Sequence, residues 1–326
     1  MEKILITGAD GFIGSHLTEI LCEQNYEIYA LAQYNSFNNT GWLSQIKNKN
    51  KINIIFGDIR DPFFCDKITK NIDIVFHLAA LIAIPYSYEA PSSYFHTNVL
   101  GTLNICEAAK SNNVKRLINI STSEVYGTAV YTPIDEKHPL QPQSPYSASK
   151  ISAEAVSISY YNAFDLPVTV IRPFNTYGPR QSARAIIPTI ITQILNGKKE
   201  MKLGSLSPTR DFNYVSDTCM TMLEISKNQN SIGKTLNIGT GSEISIGEIA
   251  KKIKAIMGSD IKIIEDKIRI RPEKSEVFRL VCDENETRQI IGKRSFISID
   301  DGLKLTIDWF KDPENLGNYN ADLYSI

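Results

Sequence analysis

Cysteine is scarce and dispersed in this chain. Its five cysteines, Cys22, Cys65, Cys106, Cys219 and Cys282, form no Cys-x-x-Cys pair. Neither a disulfide framework nor a zinc site is expected, and a reducing cytoplasm suits the pattern best. The four histidines, His16, His77, His96 and His138, lack metal-ligand spacing, so no metal is expected. No block of basic residues stands out and the net charge is -1. Nucleic acid and anionic membrane surfaces therefore have no electrostatic support as partners. No apolar run approaches the roughly 20 residues that cross a bilayer. Ile4-Leu5-Ile6 is too short for a signal peptide and reads as a first strand. Internal repeats and low-complexity linkers are also missing, which argues for closely packed lobes. What remains is an ordinary globular composition of 326 residues, 42% hydrophobic and 22% charged. That length allows a large core and two domains.

Lys3 to Thr7 is a short apolar strand. Gly8-Ala9-Asp10-Gly11-Phe12-Ile13-Gly14 follows, then an amphipathic stretch to about Glu23. A strand, a glycine turn and a helix N-terminus make an anion cradle. Glycine lets the backbone approach a pyrophosphate, and free N–H groups at Phe12 and Ile13 favour its charge. The spacing is Gly-x-x-Gly-x-x-Gly, which differs from the Gly-x-Gly-x-x-Gly dehydrogenase fingerprint. Glu27 to Ala32 reads as the second strand. Its end, where a carboxylate would hold the adenosine ribose, carries Ala32 and Gln33 instead. No arginine stands there to receive a 2′-phosphate either, so NAD and NADP both stay open.

Ile52 to Phe56 is the third strand, followed by Gly57-Asp58-Ile59-Arg60. Asp58 is either an acceptor for the adenine amino group or a turn aspartate. Asp73 to His77 is the fourth strand. Leu78, Ala79 and Ala80 after it are small or apolar enough to pack on a cofactor, and His77 itself reads as structural. Ser92 to Asn112 has helical periodicity and contains Asn98, whose amide would brace the strand carrying Thr122.

Leu117 to Ile120 is the fifth strand and runs into Ser121-Thr122-Ser123-Glu124-Val125-Tyr126-Gly127. Open α/β sheets place their chemistry at such strand ends. A loop from Thr128 to Pro145, carrying Pro133, Pro139, Pro142 and Pro145, would be a lid or a stiff connection. Tyr146 and Lys150 then lie four apart on a helix that continues to about Phe164, so both face one side. An ammonium beside a phenol favours the phenolate. Val168 to Ile171 is a sixth strand, and Lys234 to Ile238 returns to the sheet as one more. Strands alternating with helices predict a doubly wound parallel sheet of Rossmann type.

The second half is less regular. Helices are expected over Ile186–Asn196 and Val215–Ser226, with an extended piece at Met201–Leu203. Arg180, Arg184, Arg210 and Arg271 are candidates to clamp substrate phosphates. The last dozen residues read as poorly anchored. The expected division is 1–175 with about 215–241 for the dinucleotide, and 176–214 with 242–326 as a smaller α/β domain for substrate.

The glycine turn, the Thr-Ser-Glu motif, Tyr-x-x-x-Lys and Arg172-Pro173-Phe174-Asn175, in this order, resemble an extended short-chain dehydrogenase/reductase. More narrowly, the chain is similar to the NAD-dependent nucleotide-sugar epimerases and dehydratases over essentially its whole length. The resemblance implies that Gly8, Gly11 and Gly14 hold the dinucleotide pyrophosphate. It makes Thr122, Tyr146 and Lys150 the catalytic set, with Ser87, Asn175, Arg184, Arg210 and Arg271 toward the nucleotide sugar. Gln33, Asp58, Ile59, Leu78, Ala79, Ala80 and Asn98 would line the cofactor. The cofactor, NAD or NADP, would be tightly bound and regenerated in each cycle. Relatives commonly dimerise through the helices Ser92–Asn112 and Tyr146–Phe164, which implies a homodimer or a homotetramer.

Glu124 discriminates within the resemblance. Simple 4-epimerases usually carry a small or apolar residue there, whereas a glutamate resembles 4,6-dehydratases and uronate decarboxylases. Many dehydratases place an aspartate just before it as general acid; here Ser123 stands in that position. Thr-Ser-Glu resembles the GDP-mannose 4,6-dehydratases and the UDP-glucuronate decarboxylases. Ala79 to Tyr88 and Gln33-Tyr34-Asn35-Ser36-Phe37 look most like the dehydratases of bacterial legionaminic-acid synthesis, which act on nucleotide-linked N-acetylglucosamine. The implied reaction converts GDP- or UDP-N-acetylglucosamine to a 4-keto-6-deoxy sugar. Tyr146, kept ionised by Lys150, would take the 4-hydroxyl proton and Glu124 the C5 proton, with Glu124 or Ser123 protonating the departing C6 hydroxyl. The alternatives are a UDP-glucuronate decarboxylase, a 4-epimerase, and a non-catalytic dinucleotide-binding regulator, against which the retained Tyr146 and Lys150 argue.

Overall fold

The computed structural model describes residues 1–270 and 272–320. Its frame is one sheet of seven strands: β1 (Glu2–Thr7), β2 (Tyr26–Gln33), β3 (Ile52–Gly57), β4 (Ile74–His77), β5 (Arg116–Ile120), β6 (Val168–Pro173) and β7 (Thr235–Ile238). The order is β7-β6-β5-β4-β1-β2-β3. Every pairing is parallel, and Ile4 lies between Ile28 on β2 and Ile74 on β4. The sheet is the expected doubly wound, Rossmann-type fold. Strands buried on both faces need apolar residues at successive positions, and these have them. Ile4 and Ile6 point to the face covered by the helices Phe12–Cys22 and Val215–Lys227. Leu5, Val168 and Val170 point to the opposite face, against Ile68, Ile105, Cys106 and Tyr160. A third apolar cluster joins Ile187, Ile191, Met201 and Phe212 to Ile249, Ile253, Leu303 and Phe310.

The strand order reverses between β1 and β4. Ligands of open α/β sheets bind at such a switch point, beyond the strand C-termini. Here the two loops that open the crevice touch. A Cβ on Gly8, whose φ is +68°, would lie 2.8 Å from the Ala79 nitrogen.

Two departures from the sequence expectations, and one choice between expected alternatives, matter. The helix expected over Ser92–Asn112 is continuous but not uniform: Phe95–Leu100 forms a π turn between Pro91–Tyr94 and Gly101–Ser111. Such turns interrupt regular α periodicity, which side-chain patterning alone cannot reveal. The Thr128–Pro145 loop is a stiff connection. Ile134 bridges to Cys282, and Glu136 accepts the Asn237 N–H at 2.8 Å. The described part of the C-terminus is anchored, contrary to expectation. Tyr319 donates to the Gln181 carbonyl at 2.8 Å and stacks on Trp42, which also meets Trp309 edge-on at 5.6 Å. Aromatic burial there outweighs the polar composition. Among the described residues, no helix is long and apolar enough to cross a membrane.

Candidate active site

The end of β5 turns sharply. Thr122 caps a 3-10 turn over Ser123–Tyr126, and its hydroxyl accepts the Glu124 N–H at 3.2 Å. Gly127 ends the turn with φ +62°, where a Cβ would meet Gln143 Oε1 at 2.7 Å. The helix Pro145–Phe164 starts with a reciprocal cap between Ser144 and Ser147 and with Pro145 in its first turn. This fixed start aims Tyr146 back at the β5 turn. Its phenol is hydrogen-bonded to Thr122 and feels the Glu124 carboxylate. Tyr94, wholly buried, meets the Tyr146 ring edge-on at 6.2 Å. Thus Thr122, Glu124 and Tyr146 converge, with Ser123 buried beside them.

Lys150, one helical turn beyond Tyr146, is held at the foot of the β5 turn. Its ammonium donates to the Ile120 carbonyl at 2.7 Å, at the end of β5. The phenol of Tyr146 is pushed well above its ordinary value, chiefly by burial; the Thr122 bond lowers it, and the Glu124 carboxylate and Tyr94 raise it. Burial, which disfavours the phenolate, is the largest of these influences. Burial also pulls Lys150 down from 10.5 to about 8, partly offset by Glu154 one helical turn on. Glu154 in turn holds Arg172 of β6 in a buried pair at 2.6 Å.

That displacement corresponds to about 3 kcal/mol. A depressed lysine is a native-state cost wherever the residue is charged. The cost is full below pH 8 and is relieved as pH rises from about 8 toward 10.5, because the native chain then sheds a proton that the unfolded chain keeps. Wild-type stability to urea should therefore gain on Lys150→Met by up to about 3 kcal/mol across that window. Parallel stability curves for the two proteins would contradict it.

The glycine turn has the shape of a pyrophosphate cradle. Gly11 is the N-cap of the helix Phe12–Cys22. A Cβ on Gly14 would fall 2.1 Å from the Gly8 carbonyl oxygen. Only a bare backbone permits this packing, and the Phe12 and Ile13 N–H groups head the helix. These features fit a dinucleotide. His77 lies beneath them and is neutral, held down to about 3 by burial and by Lys150. Thr102 donates its hydroxyl to Asn98 O, so His77 Nε2 is the donor to Thr102 Oγ1 at 3.1 Å. Thr7 Oγ1 accepts from the Ala79 N–H and meets His77 Nδ1 at 2.8 Å. The ring therefore pins the Leu78–Ala80 loop to β1.

Asn98 acts differently from expectation. It sits in the π turn, fully buried. Its amide donates to Leu81 O and Ser149 Oγ, and its Oδ1 accepts the Leu81 N–H at 2.8 Å. It braces the loop after β4 against the helix Pro145–Phe164. The strand before Thr122 is braced instead by Asn119, which donates to Ser157 at 2.7 Å. Asp58 makes turn contacts: its carboxylate accepts Arg60 N at 2.9 Å and grips the Arg60 guanidinium. Ile59 is buried behind it, and Gln33 is exposed at the end of β2.

Of the residues expected to face the substrate, Asn175 has its Oδ1 buried without a hydrogen-bond partner. Arg184 is exposed and close enough for its charge to act on the Tyr94 phenol. Arg210 is buried, donates to the Thr209 carbonyl and lies 3.7 Å from Glu276. Arg180 turns away to Glu19 at 2.9 Å on the helix after β1. Ser87 is fully buried with its hydroxyl on the Ile84 carbonyl at 2.7 Å, so a sugar contact there would require that bond to open. Arg271 lies outside the described residues. Sequence reasoning missed Tyr94, whose only signal was an aromatic inside a helical stretch. It also passed over Ser121 Oγ, which is buried without a partner just before Thr122.

The family model of GDP-mannose 4,6 dehydratase matches residues 5–306. A putative UDP-glucose 4-epimerase of Methanocaldococcus jannaschii is 34% identical over 318 residues, covering 95% of this chain and 98% of the relative. The human dTDP-D-glucose 4,6-dehydratase is 32% identical over 327 residues, covering 98% and 92%. Among solved structures, the Streptomyces venezuelae dTDP-glucose 4,6-dehydratase DesIV, with NAD bound, superposes with a TM-score of 0.89 at 28% identity, covering 98% of this chain and 99% of its own.

Proposed function

The chain belongs to the GDP-mannose 4,6-dehydratase family, and we propose that it is an NAD-dependent 4,6-dehydratase acting on GDP- or UDP-N-acetylglucosamine. The observation that carries the reading is that Thr122 and Glu124 of one turn both act on the Tyr146 phenol. Residues 1–175 with 215–241 hold the dinucleotide, and 176–214 with 242–326 hold the nucleotide sugar. The protein works in the cytoplasm as a homodimer or homotetramer.

NAD held by the Gly8–Gly14 turn would supply hydride acceptance at C4 and hydride donation at C6. The chain's own residues move the protons. Tyr146, as the phenolate favoured by the Lys150 ammonium one helical turn on, takes the proton of the sugar 4-hydroxyl, and Thr122 holds the same oxygen by a hydrogen bond. The resulting 4-ketone acidifies the C5 proton. Glu124 removes it, the C6 hydroxyl leaves as water with a proton from Glu124 or through Ser123, and C5 regains a proton from solvent by way of Glu124 once C6 has received the hydride. Lys150 holds positive charge below the site. Asn175 and Arg184 orient the sugar and its phosphates, with Arg210 and Arg271 as further phosphate ligands.

A second reading, a 4-epimerase, is favoured by the archaeal relative. The carboxylate at position 124 separates the two, since inversion at C4 leaves C5 untouched. Incubation with GDP- and UDP-N-acetylglucosamine side by side, followed by mass spectrometry, tests the proposal. Loss of one water from either sugar is the expected result. An unchanged mass with inverted C4 would replace it by the epimerase, and carbon dioxide from UDP-glucuronate by a decarboxylase.

A further inference from the structure

We propose that Asp10, inside the glycine turn, is the carboxylate that receives the adenosine ribose and makes the site select NAD over NADP. The proposal rests on the dinucleotide reading above and deepens it. Rossmann-type sites hold the ribose 2′-hydroxyl with an acid at the end of the second strand. In this chain β2 ends on Ala32 and Gln33, neither of which has a charge.

The structure brings a carboxylate to that place by another route. Asp10 Oδ2 accepts the backbone N–H of Gln33 at 3.0 Å, so the acid of the turn after β1 lies against the end of β2. This bond uses one acceptor direction of a group that has about four. Asp10 is half-buried between exposed Gly11 and Gln33, so the notch opens to solvent. Its other wall is the segment Thr40–Gln45. The Trp42 N–H donates to the Asp10 carbonyl at 3.0 Å, and Gly41 approaches the same oxygen so closely that a Cβ would stand 2.5 Å from it. The turn, the end of β2 and this segment thus hold Asp10 in one position.

The charge balance of the notch excludes a 2′-phosphate. Arg60 is the cation that follows the neighbouring strand β3, and its guanidinium is taken up by both oxygens of Asp58. Tyr34, Asn35, Ser36 and Phe37, which continue from Gln33, bring no positive charge. A carboxylate accepts from a ribose diol and repels a phosphate monoester in the same position.

The test is a competition. The purified protein is incubated with equal concentrations of NAD and NADP and desalted, and the retained dinucleotides are counted by mass spectrometry. Wild type should keep NAD in large excess. Asp10→Asn should narrow the NAD-to-NADP ratio by about tenfold or more, the size expected for a hydrogen bond to a charged group. Gln33→Arg changes an exposed side chain and leaves the turn intact. It should raise NADP retention by neutralising Asp10. An unchanged ratio in both variants, with NAD still bound, overturns the role of Asp10 alone. A wild-type protein that retains neither dinucleotide overturns this inference together with the proposed function.

Discussion

Replacing Glu124 by glutamine should cut sugar dehydration by at least about 100-fold while the fold and the bound cofactor remain. General-base help is worth about 10²–10⁴ in rate, or roughly 3–5 kcal/mol of barrier. The substitution keeps the shape of the side chain. It also keeps the Glu124 N–H bond to Thr122, which is a backbone contact. The 3-10 turn should therefore stand, and the loss should fall on the chemistry. Oxidation at C4 does not use Glu124. A single turnover should then show the near-ultraviolet absorbance of the reduced nicotinamide without release of water. Near-wild-type dehydration in this variant would remove Glu124 from the mechanism.

Tyr146→Phe should abolish both signals. Without the phenol no group takes the proton of the 4-hydroxyl, and C4 oxidation should fall by about 10²–10⁴. The ring itself is buried at the edge of Tyr94, and phenylalanine keeps that contact. Thermal unfolding should move little, because one hydrogen bond to Thr122 is worth about 1 kcal/mol net. The two variants are thus distinguishable by experiment: one stops after C4 oxidation, the other before it. A reduced-cofactor signal of wild-type size from Tyr146→Phe would mean that another group takes the first proton.

The sheet was legible because each of its strands is an apolar run bounded by turn residues. Burial on both faces demands that composition, and composition can be read directly. The glycine turn was legible for a similar reason, since close backbone approach leaves one residue type. Contacts across distant segments were harder. Asn98 was singled out, but its partners Leu81 and Ser149 depend on a π turn that shifts its register. The position of Lys150 relative to Tyr146 followed from helix spacing, yet spacing could not say that the ammonium reaches Ile120 O. The electrostatics of Tyr146 escaped for the same reason, since desolvation depends on the packed surroundings and not on neighbours in sequence. Arg210 illustrates the limit for charged groups. Its type suggested a phosphate ligand, while an acid it pairs with, Glu276 at 3.7 Å, is far along the chain.

The chain has two tryptophans, Trp42 and Trp309, and they stand 5.6 Å apart in one aromatic group. Trp42 is also tied through its backbone to Asp10. The tryptophan fluorescence of the protein therefore originates from a single patch beside Asp10, where the adenosine is proposed to lie. Emission should respond when that place is filled and stay quiet toward changes confined to the sugar, which makes the unlabelled protein a position-selective optical reporter.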